Sequence, residues 1–248
     1  MTELGGFYAI WEREVRVYLR ERSRIVSAII NPLLWLVIYG TGIGSQINIP
    51  GTSYQAYIFP GVIVMTLIFS SVFYGASIVW DKKIDFLKEV LVAPVRRSTA
   101  FLGKVAGGAT DGLIQSTIIL AFSPIFGINL GFNPMLIYLT MIILLTGLVS
   151  IGLIIGSFME SSEGFSLIGG FIVFPLFFLS GALFPVSGLP DWLQTLTALN
   201  PISYGVDALR GLLIGSYSFG LTTDLTVLTT FALAMIALGS LAFDRMKI

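Results

Sequence analysis

The sequence predicts an all-α integral membrane protein with six transmembrane helices. Of the 248 residues, 55% are hydrophobic and 11% are charged, and the mean hydropathy is +0.90, which is far from the composition of soluble domains. The apolar residues also gather into runs that can form helices across a bilayer, which takes about 20 residues each. The predicted spans are 25–44, 56–79, 102–127, 135–158, 165–184 and 221–243.

The first predicted span follows five arginines, as a cleaved signal peptide would. Its apolar run is long, it contains Asn31 and Pro32, and it lacks an A-x-A-like cleavage site. We therefore count it as a span.

Residues 1–24 predict an amphipathic helix that lies in the membrane interface. Apolar side chains recur there at steps of three and four residues, with charged residues elsewhere on the helical wheel. A helix of this kind beside a membrane usually lies in the interface plane, and docking of a cytosolic partner is compatible with that position. The apolar stripe consists of Leu4, Tyr8, Trp11, Val15 and Tyr18.

The basic residues predict that both termini are cytoplasmic. With that topology, 13 of the 14 Lys and Arg residues lie inside and Arg210 lies outside. Because Lys and Arg are retained on the cytoplasmic side, the distribution favours a multi-pass protein of the cytoplasmic membrane. A balanced net charge gives no bulk basic face for nucleic acid.

The segment DFLKEVLVAPVRRSTAFLGK, residues 85 to 104, predicts a short cytoplasmic helix over 85–93. Phe86, Leu87, Val90 and Leu91 would form one apolar face, and Pro94 would end the helix because it has no backbone donor. Ser98 is expected to cap the third span. An ordinary cytoplasmic loop is the alternative, but it gives no reason for an exposed apolar face.

Residues 185–215 predict two short re-entrant or interfacial helices on the outer side. The segment is too often interrupted by Pro and Gly to cross the membrane once, and too apolar for a free loop. Asn200 and Pro201 fit the N-cap and first position of the second helix. Asp207 and Arg210, three residues apart, could form an ion pair.

Residue types exclude several chemistries. The chain has no Cys and no His, which removes thiol chemistry, imidazole catalysis and the usual zinc sites. Gly103 and Lys104 are followed by Val105, so no phosphate-binding loop is formed. Asp111, inside the third apolar run, is interpreted as a polar contact near the cytoplasmic side, with a proton relay as the alternative.

Phenylalanines cluster in the second and fifth spans. Lipid-facing packing is the default interpretation, and an aromatic lining for an apolar or amphipathic solute is the alternative. Glycines four residues apart, such as Gly152 and Gly156, let helices approach closely within the chain or across a dimer. The aromatic path residues are Phe69, Phe73, Phe174, Phe177 and Phe178.

The segment from Asp85 to Lys104 and the segment FFLSGALFPVSGLPDWLQTLTALNPISYGVDALRG, Phe177 to Gly211, resemble the ABC-2 permeases, specifically their daunorubicin-resistance-type drug-export branch. The resemblance covers the organisation of the whole chain as one ABC-2 transmembrane domain, 1–248. One departure is Asp85, where the family often has Gly.

The resemblance implies a permease subunit that exports a hydrophobic or amphipathic compound, drug-like or lipid. Two copies of a separate ABC ATPase would bind ATP and Mg, two permease copies would form a homodimer, and the chain itself would hold no cofactor or catalytic residue. The implied ATPase-coupling residues are Asp85, Phe86, Leu87, Lys88, Glu89, Val90, Leu91, Pro94, Arg96 and Arg97. The implied outer gate contains Asn200, Pro201, Tyr204, Asp207 and Arg210.

Two alternatives remain open for the function. The same fold serves several substrates, so a lipid-linked glycan or polysaccharide could be the exported molecule. A secondary transporter or channel could also have six spans, but it would be expected to show paired intramembrane charges or an inverted repeat.

Overall fold

The structure is a computed structural model that describes residues 2–42, 44, 52–86, 94–128 and 133–246. These residues form helices and turns, with no strand in the described ranges. Two short 3-10 helices, Ser123–Phe126 and Val186–Gly188, lie among the α-helices. The α-helices are α1 Glu3–Arg20, α2 Arg22–Gly42, α3 Tyr54–Tyr74, α4 Ala76–Lys83, α5 Arg97–Ala121, α6 Pro134–Phe158, α7 Ser162–Phe178, α8 Asp191–Leu199, α9 Pro201–Ile214 and α10 Leu221–Asp244.

The all-α membrane fold is confirmed, since a helix occupies most of each predicted apolar run. Among the described residues, four helical segments are long and apolar enough to cross a membrane: Ile25–Gly42, Tyr54–Lys83, Pro134–Phe158 and Leu221–Asp244. The apolar run of helix α5 contains two charged residues, Lys104 and Asp111. Helix α7 is a shorter apolar helix that ends at Phe178. The full count of six spans therefore stays a prediction.

Helices α3 and α4 follow one another directly, with only Gly75 between them. A methyl group added at Gly75 would lie 2.0 Å from the carbonyl oxygen of Gly152 in α6. One added at Gly156 would lie 2.3 Å from the carbonyl oxygen of Gly75. The two backbones touch at a distance that only glycine allows, so this predicted glycine pair serves internal packing.

The core lies where α3 packs against α6 and α9. Helix α3 has apolar side chains around its whole circumference and is buried along most of its length, as a helix surrounded by other helices should be. Ile63 and Leu67 of α3, Leu144 of α6 and Val206 of α9 are fully buried there. This core holds α9 against two long apolar helices.

The helix predicted at the N-terminus is present as α1, and its position in the membrane interface stays a prediction. The buried residues of α1 are Gly6, Ile10, Glu14 and Tyr18, whereas Leu4 is 81% exposed. A methyl group added at Gly103 of α5 would lie 3.0 Å from Ile10, so the two helices pack closely along this face. Ion pairs of Glu14 allow a charged residue to be buried there, which the apolar periodicity could not reveal.

The predicted cap of α5 by Ser98 is wrong. The helix begins at Arg97, and Arg96 at the N-cap makes no side-chain capping bond. Instead, the Glu3 carboxylate of α1 accepts hydrogen bonds from the Arg96 N–H at 3.3 Å and from the Thr99 hydroxyl at 2.5 Å. Mainly because the Thr99 hydroxyl donates to it, the pKa of Glu3 lies below its usual value. The cap therefore ties α1 to α5.

Two short helices, α8 and α9, lie where the two outer helices were predicted, and their position on the outer side stays a prediction. Asn200 caps α9 by accepting from the Ile202 N–H at 3.0 Å, and Pro201 is its first residue, as predicted. Most residues of α9 are buried, whereas α8 keeps Trp192 and Leu199 exposed. The second outer helix is thus part of the core.

Candidate coupling and translocation sites

The predicted coupling segment begins in a tight turn at the end of α4. Asp85 has a φ of 58°, a left-handed conformation that favours glycine and that Asp tolerates better than most residues. This conformation agrees with the glycine that the resembling family often has there. Leu87, Lys88, Glu89, Val90 and Leu91 lie outside the described residues. The chain is described again from Pro94, just before α5.

Phe86 is partly buried against its own chain, and its contact with an ATPase stays a prediction. Its ring packs against Ile10 of α1 and Ala100 of α5, and the Arg13 guanidinium lies 3.7 Å from the ring centroid. Phe86 therefore anchors the start of the coupling segment on α1 and α5.

An ion cluster that the sequence analysis missed lies beside this anchor. Lys104 of α5 donates to Glu14 of α1 at 2.8 Å and to Asp81 of α4 at 2.5 Å. Arg13 of α1 donates to the same two carboxylates, at 2.7 Å to Glu14 and 2.9 Å to Asp81. We call these four residues the cytoplasmic ion cluster, because the distribution of basic residues predicts that they lie on the cytoplasmic side. Its two positive and two negative charges join three helices.

Because residues of the cytoplasmic ion cluster are buried, their charges have to be paired with one another. Lys104 is 1% exposed, and Glu14 and Asp81 are also buried. Burial alone would raise the pKa of Glu14, but the Lys104 ammonium and then the Arg13 guanidinium outweigh it and lower that pKa. Buried charges must be paired in this way, because an isolated one costs several kcal/mol. Lys104 in the apolar run of α5 was the sequence signal that could have revealed the cluster.

Two further basic residues bind the exposed carbonyls at helix ends. Lys82 donates to the carbonyls of Gly156, Ser157 and Met159 at the end of α6, at 2.7 to 3.2 Å. Arg97, expected in the coupling set, donates to the carbonyls of Phe243, Asp244 and Met246 at the end of α10. Cations are favoured at helix C-termini. These two basic residues therefore stabilise helix C-termini, in addition to fitting the positive-inside distribution.

The predicted aromatic path residues do come together. Phe69 and Phe73 of α3 stack with centroids 6.1 Å apart, and the Phe69 ring meets the Phe174 ring edge-on at 5.6 Å. Phe177 contacts both Phe69 and Phe178. Edge-on and offset contacts of this kind are the favoured aromatic geometries.

The five rings differ in exposure. Phe177 is buried and also meets Trp35 of α2 edge-on. Phe174 is 50% exposed and Phe178 is 44% exposed, and their rings stack on each other with centroids 6.3 Å apart. Phe177 therefore supports the cluster from within, whereas Phe174 and Phe178 present an aromatic surface.

Two of the predicted outer gate residues tie α9 to the end of α7 and to α8. The Asn200 side-chain amide donates to the Leu176 carbonyl at 2.7 Å. The Tyr204 hydroxyl donates to the Ala198 carbonyl at 2.8 Å, and its ring packs on Phe219. The outer helices are thus fixed to the helix that carries the aromatic surface.

Asp207 and Arg210 do not form the predicted ion pair within 4 Å. Asp207 accepts from the N–H groups of Ser218 and Phe219, each at 2.8 Å. Arg210 donates to the Gly181 carbonyl at 2.8 Å and lies 4.1 Å above the Tyr57 ring. Helical spacing allowed the pair, but backbone groups of neighbouring turns bind both side chains instead, and the Arg210 Nε has no hydrogen-bond partner among the described residues.

Comparison with protein families decides between the classes that the geometry leaves open. The family model described as ABC-2 type transporter matches residues 5–214. The chain belongs to the ABC-2 type transporter family. The predicted resemblance is therefore confirmed, and this ABC-2 protein is a multi-pass membrane protein. The match includes the ion cluster, the coupling segment and the outer helices.

Two of the three relatives described here are named transport permeases. The chain is 31% identical over 229 residues to the "Inner membrane transport permease YadH" of Escherichia coli (strain K12), covering 91% of this chain and 90% of the relative. It is 29% identical over 213 residues to the "Putative transport permease ycf38" of Porphyra purpurea, covering 82% and 69%. It is 27% identical over 219 residues to "Nodulation protein J" of Rhizobium meliloti (strain 1021), covering 85% and 82%. Membership of the ABC-2 family implies an ABC ATPase partner.

Proposed function

We propose that this chain is the permease subunit of an ATP-driven exporter that moves a hydrophobic or amphipathic compound across the cytoplasmic membrane. Two copies would assemble with two ABC ATPase subunits, which bind ATP and Mg. The observation that carries the proposal is the attachment of the coupling segment to the cytoplasmic ion cluster through Phe86 and Arg13.

Movement of the coupling segment would reach three helices through this attachment. The segment leaves α4 at one end and enters α5 at the other. Lys104 and Arg13 bind α4, α5 and α1 together at the same level. Since buried ion pairs resist separation, the three helices would move as a unit when an ATPase moves residues 87–91. Helix α4 continues into α3, which carries Phe69 and Phe73.

The substrate path would run along the exposed aromatic surface of α7. Phe174 and Phe178 are apolar, half-exposed and supported from behind by Phe177, which is the lining expected for an apolar or amphipathic solute. A second copy would close this surface from the other side, and α8 and α9 would close it from the outside.

The test is substrate-stimulated ATPase activity of the reconstituted complex across a panel of apolar and amphipathic compounds. Phe174→Ala and Phe178→Ala should change which compounds stimulate hydrolysis, because each removes ring surface from the path. Phe171→Ala is the matched control, since Phe171 is 81% exposed on the same helix and lies outside the ring contacts described above. Unchanged profiles for Phe174→Ala and Phe178→Ala would assign these rings to lipid contact and contradict the path.

A further inference from the structure

A groove runs between α6 and α10 on the surface of the bundle. It has a volume of about 440 Å³, which is the size of a small-ligand pocket. Its wall is apolar, with Ile151 and Ile155 on α6 and Met235 and Leu238 on α10. Among the described residues that line it, Arg245 alone is charged. The groove therefore combines an apolar trough with one cation.

Glycine contacts explain why the groove is open. A methyl group added at Gly147 would clash with the Phe231 ring, so α6 and α10 touch at that level. Further along, Gly152 of α6 faces the backbone of α3, and Gly239 of α10 faces the Phe101 ring of α5. Small residues let helices approach closely. Each helix is thus packed on a third helix, and the face between them keeps its larger apolar side chains exposed.

The groove is as deep as one leaflet of a bilayer. Met235 and Arg245 mark its two ends on α10, and the rise of an α-helix over this stretch is about 15 Å. The whole hydrocarbon core is about 30 Å thick. An acyl chain that enters at Arg245 would therefore end near Met235, at the middle of the bilayer.

Arg245 supplies an available positive charge at the shallow end of the groove. It directly follows α10, is exposed, and forms no ion pair within 4 Å among the described residues. By contrast, Arg97 and Lys82 are bound to carbonyls at the ends of α10 and α6. Asp244, the neighbouring acid, is exposed and does not line the groove. The Arg245 guanidinium can therefore bind an anion.

We propose that this groove binds one acyl chain of an anionic phospholipid, with the lipid phosphate at the Arg245 guanidinium. Arg binds phosphate through paired N–H donors. The distribution of basic residues predicts that this end of the bundle is cytoplasmic, and the cytoplasmic leaflet carries anionic lipids that basic residues attract. The lipid is a resident ligand rather than the exported compound, since none of the five rings of the proposed path lines this groove.

Packing and charge provide the preference for this site over bulk lipid. The hydrophobic effect does not hold the chain in place, because lipid tails are as apolar as the groove wall. Dispersion contacts with two helices at once and the guanidinium–phosphate pair stabilise the bound lipid instead. The agreement with the depth of one leaflet and the cation at the headgroup level favour a lipid over a second copy of the chain.

The test is native mass spectrometry of the purified full chain in detergent, titrated with dioleoylphosphatidylglycerol or dioleoylphosphatidylcholine. The two lipids share their acyl chains, but only phosphatidylglycerol has a net negative charge. The wild type should bind the first phosphatidylglycerol about fivefold more tightly, which is the effect of one Arg near an anionic lipid. Arg245→Gln should remove this preference, whereas Arg22→Gln, at an exposed arginine that begins α2, should keep it.

Filling the groove tests the acyl chain separately from the headgroup. Ala242 lines the groove, so Ala242→Trp places an indole in the space of the chain and should weaken both lipids by about tenfold. Leu233→Trp is the matched control, because Leu233 is 62% exposed on the same helix and lies outside the groove wall. This control should bind both lipids like the wild type.

Several results would overturn the inference. Equal binding of the two lipids by the wild type, or equal effects of Arg245→Gln and Arg22→Gln, would remove the phosphate contact. Unchanged lipid binding by Ala242→Trp would remove the acyl chain from the groove. Conversion of a dimer to a monomer by Ala242→Trp, with lipid binding intact, would assign the groove to a second copy. None of these results bears on ATP-driven export, which vesicle uptake tests.

Discussion

The Lys104 ammonium lies 2.5 Å from the Asp81 carboxylate, and the pair joins α5 to α4 at the end of the bundle that is predicted to be cytoplasmic. Both side chains are buried, so neither charge can be left alone at low cost. The pair lies next to the segment that an ATPase is proposed to move, which makes it both a stability element and a transmission element.

We expect Lys104→Met to destabilise the protein strongly. The substitution leaves Glu14 and Asp81 buried with only Arg13 to compensate, and breaking a buried ion pair commonly costs about 3–5 kcal/mol. Chemical or thermal unfolding in detergent measures the loss. Arg16→Met is the control, because Arg16 is paired with Glu12 at 2.7 Å but its side chain is 68% exposed, and such pairs contribute about 0–1 kcal/mol. Similar losses for both variants would contradict an obligate cluster.

Acid should destabilise the wild type through Glu14. Its pKa is lowered in the folded protein from an ordinary value of 4.5, so its contribution to stability is fully present above that value. The contribution is lost as the pH falls below 4.5 through the lower folded pKa. Glu14→Gln should therefore lower the melting temperature near neutral pH.

The difference between Glu14→Gln and the wild type should shrink as the pH falls below about 4. Melting curves at a series of pH values test this dependence. A gap that stays constant down to acid conditions would show that Glu14 acts through packing rather than through its charge.

At position 85, Asp85→Gly should be tolerated and Asp85→Val should impair function. The φ of 58° suits glycine and strains a β-branched residue, at a cost of order 1–3 kcal/mol. Recovery of the complex with its ATPase, together with ATPase activity, would measure the effect on the coupling segment. Equal behaviour of the two variants would contradict the left-handed turn.

Much of the fold could be predicted because apolar runs and capping residues act locally. Asn200 and Pro201 predicted the start of α9 correctly, since both depend on the first helical turn alone. The spacing of Gly152 and Gly156 predicted a close helix–helix contact, but the sequence alone did not indicate that Gly75 is the contact partner.

Side chains whose partners are distant in sequence could not be predicted in the same way. The helical pattern of α1 gave no reason to single out Glu14, whose burial is explained by the tertiary contact with Lys104, 90 residues later. Asp207 and Arg210 suited a local pair, but the turn at Ser218 and the Gly181 carbonyl bind them instead. In these cases, buried polar side chains bind groups that are distant in the sequence, and local sequence patterns do not show such contacts.

Cysteine labelling tests the predicted topology, and the chain has no native Cys. Ser98→Cys lies at the start of α5 and Ser216→Cys lies in the exposed turn after α9. Because the basic residues favour cytoplasmic termini, an impermeant thiol reagent added to intact cells should label only Ser216→Cys. Permeabilised cells should show labelling of both. External labelling of Ser98→Cys would contradict the topology.

ATP-dependent uptake into inside-out membrane vesicles tests the exporter account most directly. Vesicles that contain the wild-type chain and its ABC ATPase should accumulate at least one compound from a panel of apolar and amphipathic molecules only when ATP is hydrolysed. Leu87→Asp should abolish this uptake if Leu87 is the predicted anchor on the ATPase, because a charge at such an anchor costs binding energy, whereas Leu4→Asp, on the exposed side of α1, should retain it. Uptake without ATP hydrolysis, or equal uptake with Leu87→Asp, would contradict the account.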